Sequence, residues 1–332
     1  MTNKKCSGCG VELQSENSKE KGYIKPEIIK NAKYCERCFK ITHYNEKLIV
    51  PLKNINEHVI NEVNKNKKYV FFLIDLLNIN NETINTFKKI KANKTLVVSK
   101  LDIIPKSIKQ TTVNSWLKSV YKIEENIIFI SSKKSLNIEQ IYNILAKENQ
   151  KQAYILGFTN AGKSTLINKL CLDNNITDNI ITTSLIPNTT LDFIKIKLND
   201  QLTIIDSPGF TMQDNLYKDN EFELIERINP KCFLKPVTYQ TKNNTSLTIE
   251  NKIKIIPGNL NSLTFYMSNQ IKIIKNFEKD IFLNDKAFST YKIEENSDLV
   301  IKGIGFINIK KACTLKVYSE YQNLIEIRKS MF

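Results

Sequence analysis

Short apolar runs separated by amphipathic stretches dominate the middle of the chain. The intervening stretches have helix-like patterns of about 10–15 residues, which is typical of βαβ units with a parallel sheet. Beyond about residue 226 the pattern changes to short strands and turns. We therefore predict an α/β domain followed by a smaller, mainly β domain. The runs that predict strands are 69–75, 95–98, 126–130, 153–156, 193–196, 202–205, 246–249 and the stretch 299–307.

A glycine-rich turn follows the run at 153–156. Residues 157–164 match the pattern GxxxxGK[ST] and lie between a predicted strand and a predicted helix, as that motif requires. Backbone N–H groups of such a loop surround phosphates at a helix N-terminus. Lys163 would neutralise the β- and γ-phosphates, and the Ser164 hydroxyl would ligate Mg²⁺. The predicted nucleotide contacts here are Gly157, Asn160, Ala161, Gly162, Lys163, Ser164 and Thr165.

A second phosphate motif lies further along the chain. The run at 202–205 leads into Asp206-Ser207-Pro208-Gly209, a DxxG sequence. We expect Asp206 to hold Mg²⁺ through water and the Gly209 amide to meet the γ-phosphate. Between the two motifs, Thr189 and Thr190 are candidates for a loop threonine that reaches the metal, and Thr190 aligns better with that position.

The motifs that would read a guanine base stand upstream of both phosphate motifs. Ser99-Lys100-Leu101-Asp102 follows a predicted strand and places a carboxylate where the N1–H and N2–H₂ donors of guanine could be bound. Ser131-Ser132-Lys133 follows the next strand and is similar to the loop whose backbone amide reads guanine O6. No such pair follows residue 210. The order predicts a circularly permuted GTPase domain, which is physically tolerable because domain termini usually lie close together.

Four of the seven cysteines form two CxxC pairs: Cys6, Cys9, Cys35 and Cys38. Two such turns can complete a closed tetrahedral Zn²⁺ site, which would be structural because no position stays open for water. A disulfide pair and a redox motif are the rival interpretations. The absence of an apolar leader predicts a cytoplasmic chain with reduced thiols, and a redox motif would not occur twice in this layout.

The chain is strongly basic, with a formal net charge of +15 over 332 residues. Most of the excess, +11, falls in residues 1–210. This balance favours a polyanionic partner such as nucleic acid, although a compositional surplus of lysine would give the same charge. No apolar run approaches the roughly 18–20 residues of a membrane span, so we expect no membrane partner.

Taken over its full length, the chain resembles the YqeH family of circularly permuted GTPases. The resemblance includes the segments 34–39, 43–45 and 298–306. It implies GTP and GDP binding, hydrolysis with Mg²⁺, and contact with ribosomal RNA or ribosomal proteins during assembly of the small ribosomal subunit. Two departures are Ser99 in place of Asn or Thr, which shortens a side chain against the phosphate loop, and Asn188 in place of glycine. The implied domains are a zinc finger at 1–48, a GTPase domain at 49–225 and an RNA- or ribosome-interacting domain at 226–332, in a monomer.

The residue after the DxxG motif is Phe210, which cannot orient water as a glutamine does. We expect slow intrinsic hydrolysis that awaits a ribosomal partner or a cation. Related GTPases with asparagine at the position of Asn160 use it to coordinate K⁺, which gives Lys163, Thr190 and Asn160 as the catalytic set; a loop hydrogen bond is the alternative role for Asn160. The alternatives for the whole chain are an RNA-binding protein with a vestigial nucleotide domain, or a P-loop ATPase or kinase of unknown substrate.

Overall fold

A computed structural model shows two compact units built from interleaved stretches of chain. Unit 1 contains Met1–Asp75, Asn85–Leu101 and Glu125–Thr211, and unit 2 contains Leu76–Ile84, Asp102–Glu124 and Met212–Phe332. The residues that the structure describes are 4–18, 20–29, 31–44, 55–105, 108–176, 192–212, 222–242, 245–277, 288–321 and 323–332.

Seven α-helices occur among the described residues. Their bounds are α1 Glu36–Tyr44, α2 Ile55–Asn66, α3 Asn81–Lys89, α4 Gln110–Tyr121, α5 Glu139–Lys147, α6 Lys163–Asp173 and α7 Phe222–Ile228. Two short 3-10 helices, Leu76–Asn78 and Leu101–Ile103, follow strands of the sheet in unit 1.

A six-stranded sheet forms the centre of unit 1. Its strands are β1 Tyr69–Asp75, β2 Lys94–Ser99, β3 Asn126–Phe129, β4 Gln152–Gly157, β5 Ile194–Lys197 and β6 Thr203–Asp206. The spatial order is β3-β2-β1-β4-β6-β5, and every pair is parallel except β5 with β6. All seven residues of β1 are buried, as expected for a parallel strand covered on both faces. The carboxyl ends of β1, β2, β4 and β6 therefore lie along one edge, where ligands of open α/β sheets bind.

Unit 2 contains two five-stranded antiparallel sheets. Their strands are β7 Val237–Thr241, β8 Thr245–Ile249, β9 Ile253–Pro257, β10 Asn261–Met267, β11 Ile273–Phe277, β12 Phe288–Ile293, β13 Ser297–Ile301, β14 Gly305–Ile309, β15 Cys313–Ser319 and β16 Ile325–Lys329. One sheet has the order β16-β13-β14-β10-β7, and the other has the order β11-β8-β9-β15-β12. Burial alternates along β10, as a strand with one buried face requires.

One face of the first of these sheets packs against residues from earlier in the chain. Val300 and Phe306 pack with Leu77, Ile103 and Leu234 in one apolar cluster. Trp116, on α4, donates its indole N–H to the Lys329 carbonyl oxygen at 3.2 Å. Unit 2 is therefore not a contiguous C-terminal domain, because it includes the segments that follow β1 and β2.

The predicted fold class is confirmed: an α/β nucleotide domain, a four-cysteine segment before it and a β-rich region after it. The predicted boundaries 1–48, 49–225 and 226–332 stay a prediction. Among the described residues, no helix has both the length and the apolar character needed to cross a membrane.

Candidate nucleotide and metal sites

The phosphate loop connects β4 directly to α6. Gly157 ends β4 beside Leu73 of β1, and a Cβ on Gly157 would lie 2.8 Å from the Leu73 carbonyl oxygen. Only glycine therefore allows the two strands to approach this closely. Gly162 immediately precedes α6 and has φ of +86°, in the left-handed region that favours glycine. The sequence predicted this strand, loop and helix correctly.

Lys163 and Asp206, predicted to serve the phosphates and Mg²⁺, lie in contact. The Lys163 amine lies 2.5 Å from Asp206 Oδ1 and donates to the Ser207 carbonyl oxygen at 2.6 Å. Both side chains are buried. Asp206 ends β6, which pairs with β4, so the sheet itself places the carboxylate next to the phosphate loop.

The segment after the DxxG motif is fixed to the phosphate loop by backbone hydrogen bonds. The Phe210 N–H donates to the Gly157 carbonyl at 3.0 Å, and the Thr159 N–H donates to the Phe210 carbonyl at 2.9 Å. The Phe210 ring is fully buried against Phe72 and Phe158, with ring centroids 5.6 Å from each. The Phe210 side chain thus serves in the core and brings no polar group to the loop, and the polar contacts of this residue with the loop are made by its backbone atoms.

Ser99 joins the predicted base-reading segment to the phosphate loop. Its hydroxyl donates to the Ala161 carbonyl oxygen at 2.7 Å and lies 3.3 Å from the carbonyl oxygen of Ile74. The side chain is buried at the end of β2. The shorter serine therefore keeps a contact with the phosphate loop, although the sequence suggested that the contact would be weakened.

Lys100 pairs with a carboxylate that the sequence analysis did not single out. Its amine lies 3.2 Å from Oδ2 of Asp75, the last residue of β1, and Asp75 is only 3% exposed. Lys100 has φ of +58°, so its backbone is in the left-handed region. The signal that could have identified Asp75 is a carboxylate at the end of an otherwise apolar strand.

The second predicted base-reading loop, 131–133, lies beside the first. The Leu101 N–H donates to the Ile130 carbonyl at 2.9 Å, which joins the two segments. Ser131 is buried, and backbone hydrogen bonds of 3.1 and 2.9 Å to Leu136 close the turn that it begins. Lys133 is exposed.

Asn160 also has a left-handed backbone, with φ of 64°. The side-chain amide nitrogen of Asn160 is buried and has no hydrogen-bond partner among the described residues. Unpaired buried polar atoms are uncommon in folded proteins and call for a ligand or another explanation.

The remaining predicted residues divide into three groups. In the first turn of α6, Ser164 is half-buried and Thr165 is exposed. Gly209 follows β6, and a Cβ on it would lie 3.7 Å from the Thr159 hydroxyl. Asp102 lies half-buried in the 3-10 helix that follows β2. Asn188, Thr189 and Thr190 lie outside the described residues.

The four paired cysteines form one buried cluster. All four Sγ atoms lie within 4.8 Å of one another, and those of Cys9 and Cys35 are 3.8 Å apart. Zn–S bonds of about 2.3 Å in a tetrahedron put sulfurs at roughly this separation. Hydrogen bonding with Cys35 lowers the pKa of Cys6 and raises the pKa of Cys38, because the four thiols lie in mutual contact. The cluster is compatible with Zn²⁺.

The cysteine cluster also contacts the chain just before β5. The Asp192 N–H donates to the carbonyl oxygen of Cys9 at 3.2 Å, and the Lys5 amine lies 3.7 Å from Asp192 Oδ2. A Cβ on Gly10 would lie 2.7 Å from the Ile194 side chain. The four-cysteine segment thus packs on the edge strand of the sheet in unit 1.

Comparisons with known proteins agree with this arrangement. A family described as "50S ribosome-binding GTPase" matches residues 152–263. The uncharacterized protein YqeH of Bacillus subtilis is 27% identical, and the match covers 92% of this chain and 93% of that protein. Genetic interactor of prohibitins 3, a mitochondrial protein of Vanderwaltozyma polyspora, is 23% identical over 88% of this chain and 66% of its own length.

One solved structure, the crystal structure of YjeQ from Thermotoga maritima, aligns with 43% of this chain and 48% of its own chain. Its sequence identity to this chain is 18% and the TM-score is 0.31.

Proposed function

Because the chain is a YqeH-like, circularly permuted P-loop GTPase, we propose that it binds and hydrolyses GTP as a switch in assembly of the small ribosomal subunit. The main structural support for GTP binding is the 2.7 Å hydrogen bond from the Ser99 hydroxyl to the Ala161 carbonyl oxygen. It connects the predicted base-reading segment to the phosphate loop at the carboxyl edge of one sheet, as a site that holds both ends of one nucleotide requires.

At the phosphate end, the N–H groups of residues 157–162 and the amine of Lys163 would bind the β- and γ-phosphates. Ser164 and Asp206, with Thr190, would hold Mg²⁺, whose charge offsets that of the phosphates. Lys163 would have to exchange its ion pair with Asp206 for the phosphates. The Gly209 amide would meet the γ-phosphate.

At the base end, Asp102 would accept the N1–H and N2–H₂ donors of guanine. A backbone amide of the loop Ser131, Ser132 and Lys133 would donate to O6, and Lys100 would cover the base. Adenine offers neither donor at these positions, so this end of the site would select GTP over ATP.

Hydrolysis needs a group other than Phe210, whose ring is buried. Asn160 supports a role for K⁺, because its amide contains a buried polar atom without a partner among the described residues. Oxygen and nitrogen of an amide exchange on a flip of the group, so either atom can face a ligand. K⁺ bound there would add positive charge where negative charge develops on the phosphates.

The cation test compares GTP hydrolysis in K⁺ and Na⁺ at equal ionic strength. We expect faster turnover in K⁺, and Asn160→Ala should remove the difference. Asn174→Ala is the matched control, since Asn174 follows the far end of α6 and should leave the difference intact. Equal rates in both salts for the unmutated protein would limit Asn160 to a loop hydrogen bond.

The target is proposed from the resemblance and from the basic charge of +15. The matched family's description mentions the 50S ribosome, whereas the resemblance to the YqeH family implies the small subunit. Sedimentation with each purified subunit, with a non-hydrolysable GTP analogue or with GDP, separates the two. We expect binding to the small subunit that is stronger with the analogue, because a switch needs states that differ in affinity. Preference for the large subunit, or equal binding in both nucleotide states, would contradict the proposal.

The rival functions make different predictions. A vestigial nucleotide domain predicts no GTP turnover, and an ATPase or kinase predicts that ATP displaces GTP. The buried pair of Lys163 and Asp206 supports an intact phosphate site. We further propose a cytoplasmic monomer.

A further inference from the structure

One face of the second sheet in unit 2, β11-β8-β9-β15-β12, has the composition of a nucleic-acid platform. On β15, Leu315 and Val317 are buried, so Lys316 and Tyr318 lie on the opposite face. The register with β12 extends that face across two strands, whereas Lys254, opposite Tyr318 on β9, is buried. We call the exposed part the outer face and define it by Phe288, Thr290, Lys292, Lys316 and Tyr318.

The outer face presents two aromatic rings side by side. Phe288 lies opposite Tyr318 in the register, with ring centroids 5.3 Å apart and planes tilted by 33°. The Phe288 side chain is 56% exposed, which is unusual for a large apolar residue on a sheet. The rings therefore offer flat apolar surface to a partner.

Two exposed lysines lie beside these rings. The Lys316 amine lies 6.0 Å from the centroid of Phe288, and Lys292 is on the same edge strand as Phe288. Neither lysine forms an ion pair with a described residue. The described acidic residues nearest in sequence to these two lysines, Glu294, Glu295 and Glu320, lie beyond the strand ends.

The other sheet of the unit differs, because its aromatic residue Phe306 and its neighbour Val300 are buried in the cluster with Leu77, Ile103 and Leu234. The exposed ring of Phe288, the half-buried ring of Tyr318 and lysines without an ion-pair partner among the described residues fit a partner that combines negative charge with flat apolar rings. Single-stranded nucleic acid has both, and sheets with aromatic rings bind it by stacking unpaired bases. A base-paired duplex hides those ring faces.

We propose that the outer face binds single-stranded RNA, with bases stacked on Phe288 and Tyr318 and phosphates beside Lys292 and Lys316. The choice of RNA rests on the proposed ribosomal function. Thr290 lies opposite Lys316 in the register, and its hydroxyl offers a partner for ribose 2′-OH groups. An acidic peptide would gain from the lysines but would leave the aromatic pair unused.

The test measures binding of the full-length protein to a fluorescein-labelled ten-nucleotide unstructured RNA by fluorescence anisotropy. Phe288→Ala should weaken binding about 5- to 100-fold, as loss of one stacking ring does. Phe277→Ala is the matched control, because Phe277 is 68% exposed on the same sheet but its neighbour in the register is Thr245, on the other face. It should bind as the unmutated protein does.

Salt dependence tests the lysines separately. The double variant Lys292→Gln and Lys316→Gln should flatten the slope of log affinity against log salt by about 1.4, since each single-strand phosphate contact contributes about 0.7. Lys310→Gln and Lys311→Gln together, in the turn before β15, should leave the slope unchanged. Circular dichroism of every variant verifies that the sheet still folds.

The outcomes separate this proposal from the ribosomal one. If the RNA does not bind, or if Phe288→Ala and Phe277→Ala bind alike, the outer-face proposal is wrong, while sedimentation with the small subunit still tests the proposed function. Competition by polyglutamate as effective as competition by unlabelled RNA would replace RNA with an acidic protein segment. Binding to a duplex of the same length equal to that of the single strand would contradict base stacking.

Discussion

At the scale of single residues, polar side chains join the segments of the candidate nucleotide site. Ser99 reaches the Ala161 carbonyl at 2.7 Å from the end of β2, and Lys163 reaches Asp206 at 2.5 Å. The sequence identified Lys163 and Asp206 as candidate site residues because each occupies a fixed position in a phosphate-binding motif. It also placed the side chain at position 99 against the phosphate loop, but it did not predict the pair formed by Lys100 and Asp75, because that pair depends on β1 and β2 lying side by side.

The first residue-scale prediction concerns base selection by Asp102. Asp102→Asn should weaken GTP binding by about 1–3 kcal/mol, or about 5- to 150-fold, because an amide cannot accept from both guanine donors. Xanthosine nucleotides should gain affinity, since their O2 accepts where guanine N2 donates. Isothermal titration calorimetry with both nucleotides measures the change, with the exposed Asp200→Asn as control. Unchanged GTP affinity would assign base recognition to another residue.

The second residue-scale prediction concerns Asp75, which we expect to position Lys100. Asp75→Asn preserves the shape of the side chain but removes the charge that holds the Lys100 amine. GTP affinity should fall by about 1–2 kcal/mol, in line with the loss of a charged hydrogen bond.

Asp173→Asn is its matched control, because Asp173 pairs with Lys169 on the surface of α6. In Lys100→Met, a further Asp75→Asn substitution should have little additional effect on GTP affinity, as a shared role requires. Additive losses in the double variant would show that Asp75 acts independently of Lys100.

At the scale of elements, apolar periodicity was sufficient to predict the strands of unit 1. The run 69–75 coincides with β1, because a strand buried on both faces needs apolar residues throughout. The stretch 299–307 contains the end of β13 and the start of β14, and the intervening Gly303 has φ of +85°, which suits a tight turn. Periodicity could not reveal that α4 belongs to unit 2, since its partners come some 200 residues later.

The element-scale prediction concerns the four-cysteine segment. Cys35→Ser should abolish binding of the one Zn²⁺ expected per chain and loosen residues 4–44, because few other buried side chains support that segment. Hydrogen exchange should also accelerate at the amide of Asp192, which donates to Cys9.

Cys232→Ser is the control for this experiment, since Cys232 is exposed and outside the cluster. It should retain full zinc content and the original exchange rate at Asp192. A chain with both Cys35→Ser and Cys38→Ser that still contains one zinc per chain would rule out the cluster as the metal site.

At the scale of the whole molecule, a buried charge near the C-terminus connects distant stretches of unit 2. Arg328 pairs with Asp298 at 3.2 Å, donates to the carbonyl of Ile79 and lies 4.8 Å from the centroid of the Trp116 ring. Both charged groups are almost fully buried. Residues 76–84, residues 102–124 and the last strand therefore meet at one guanidinium group.

Arg328→Met should destabilise unit 2 by about 3–5 kcal/mol, because Asp298 would remain buried without its partner. Trp116 is the only tryptophan of the chain, so its fluorescence during urea unfolding reports on this unit. Adding Asp298→Leu should restore part of the loss, since the unpaired charge is then removed. Lys197→Ala, which breaks an exposed pair, should leave the unfolding midpoint unchanged. An Arg328→Met protein with the original midpoint would contradict the structural role of this pair.

The interleaved composition of unit 2 has a consequence for synthesis on the ribosome. Trp116 precedes Lys329 by 213 residues, and Ile79 precedes Arg328 by 249. At about 5–20 residues per second, the early segments wait roughly 10–50 s for these partners to be translated. During that interval Leu77 and Ile103 have no Val300 or Phe306 to cover them. The nascent chain thus exposes apolar surface for a time set by the elongation rate, and that surface is a binding site for chaperones until the last strand emerges.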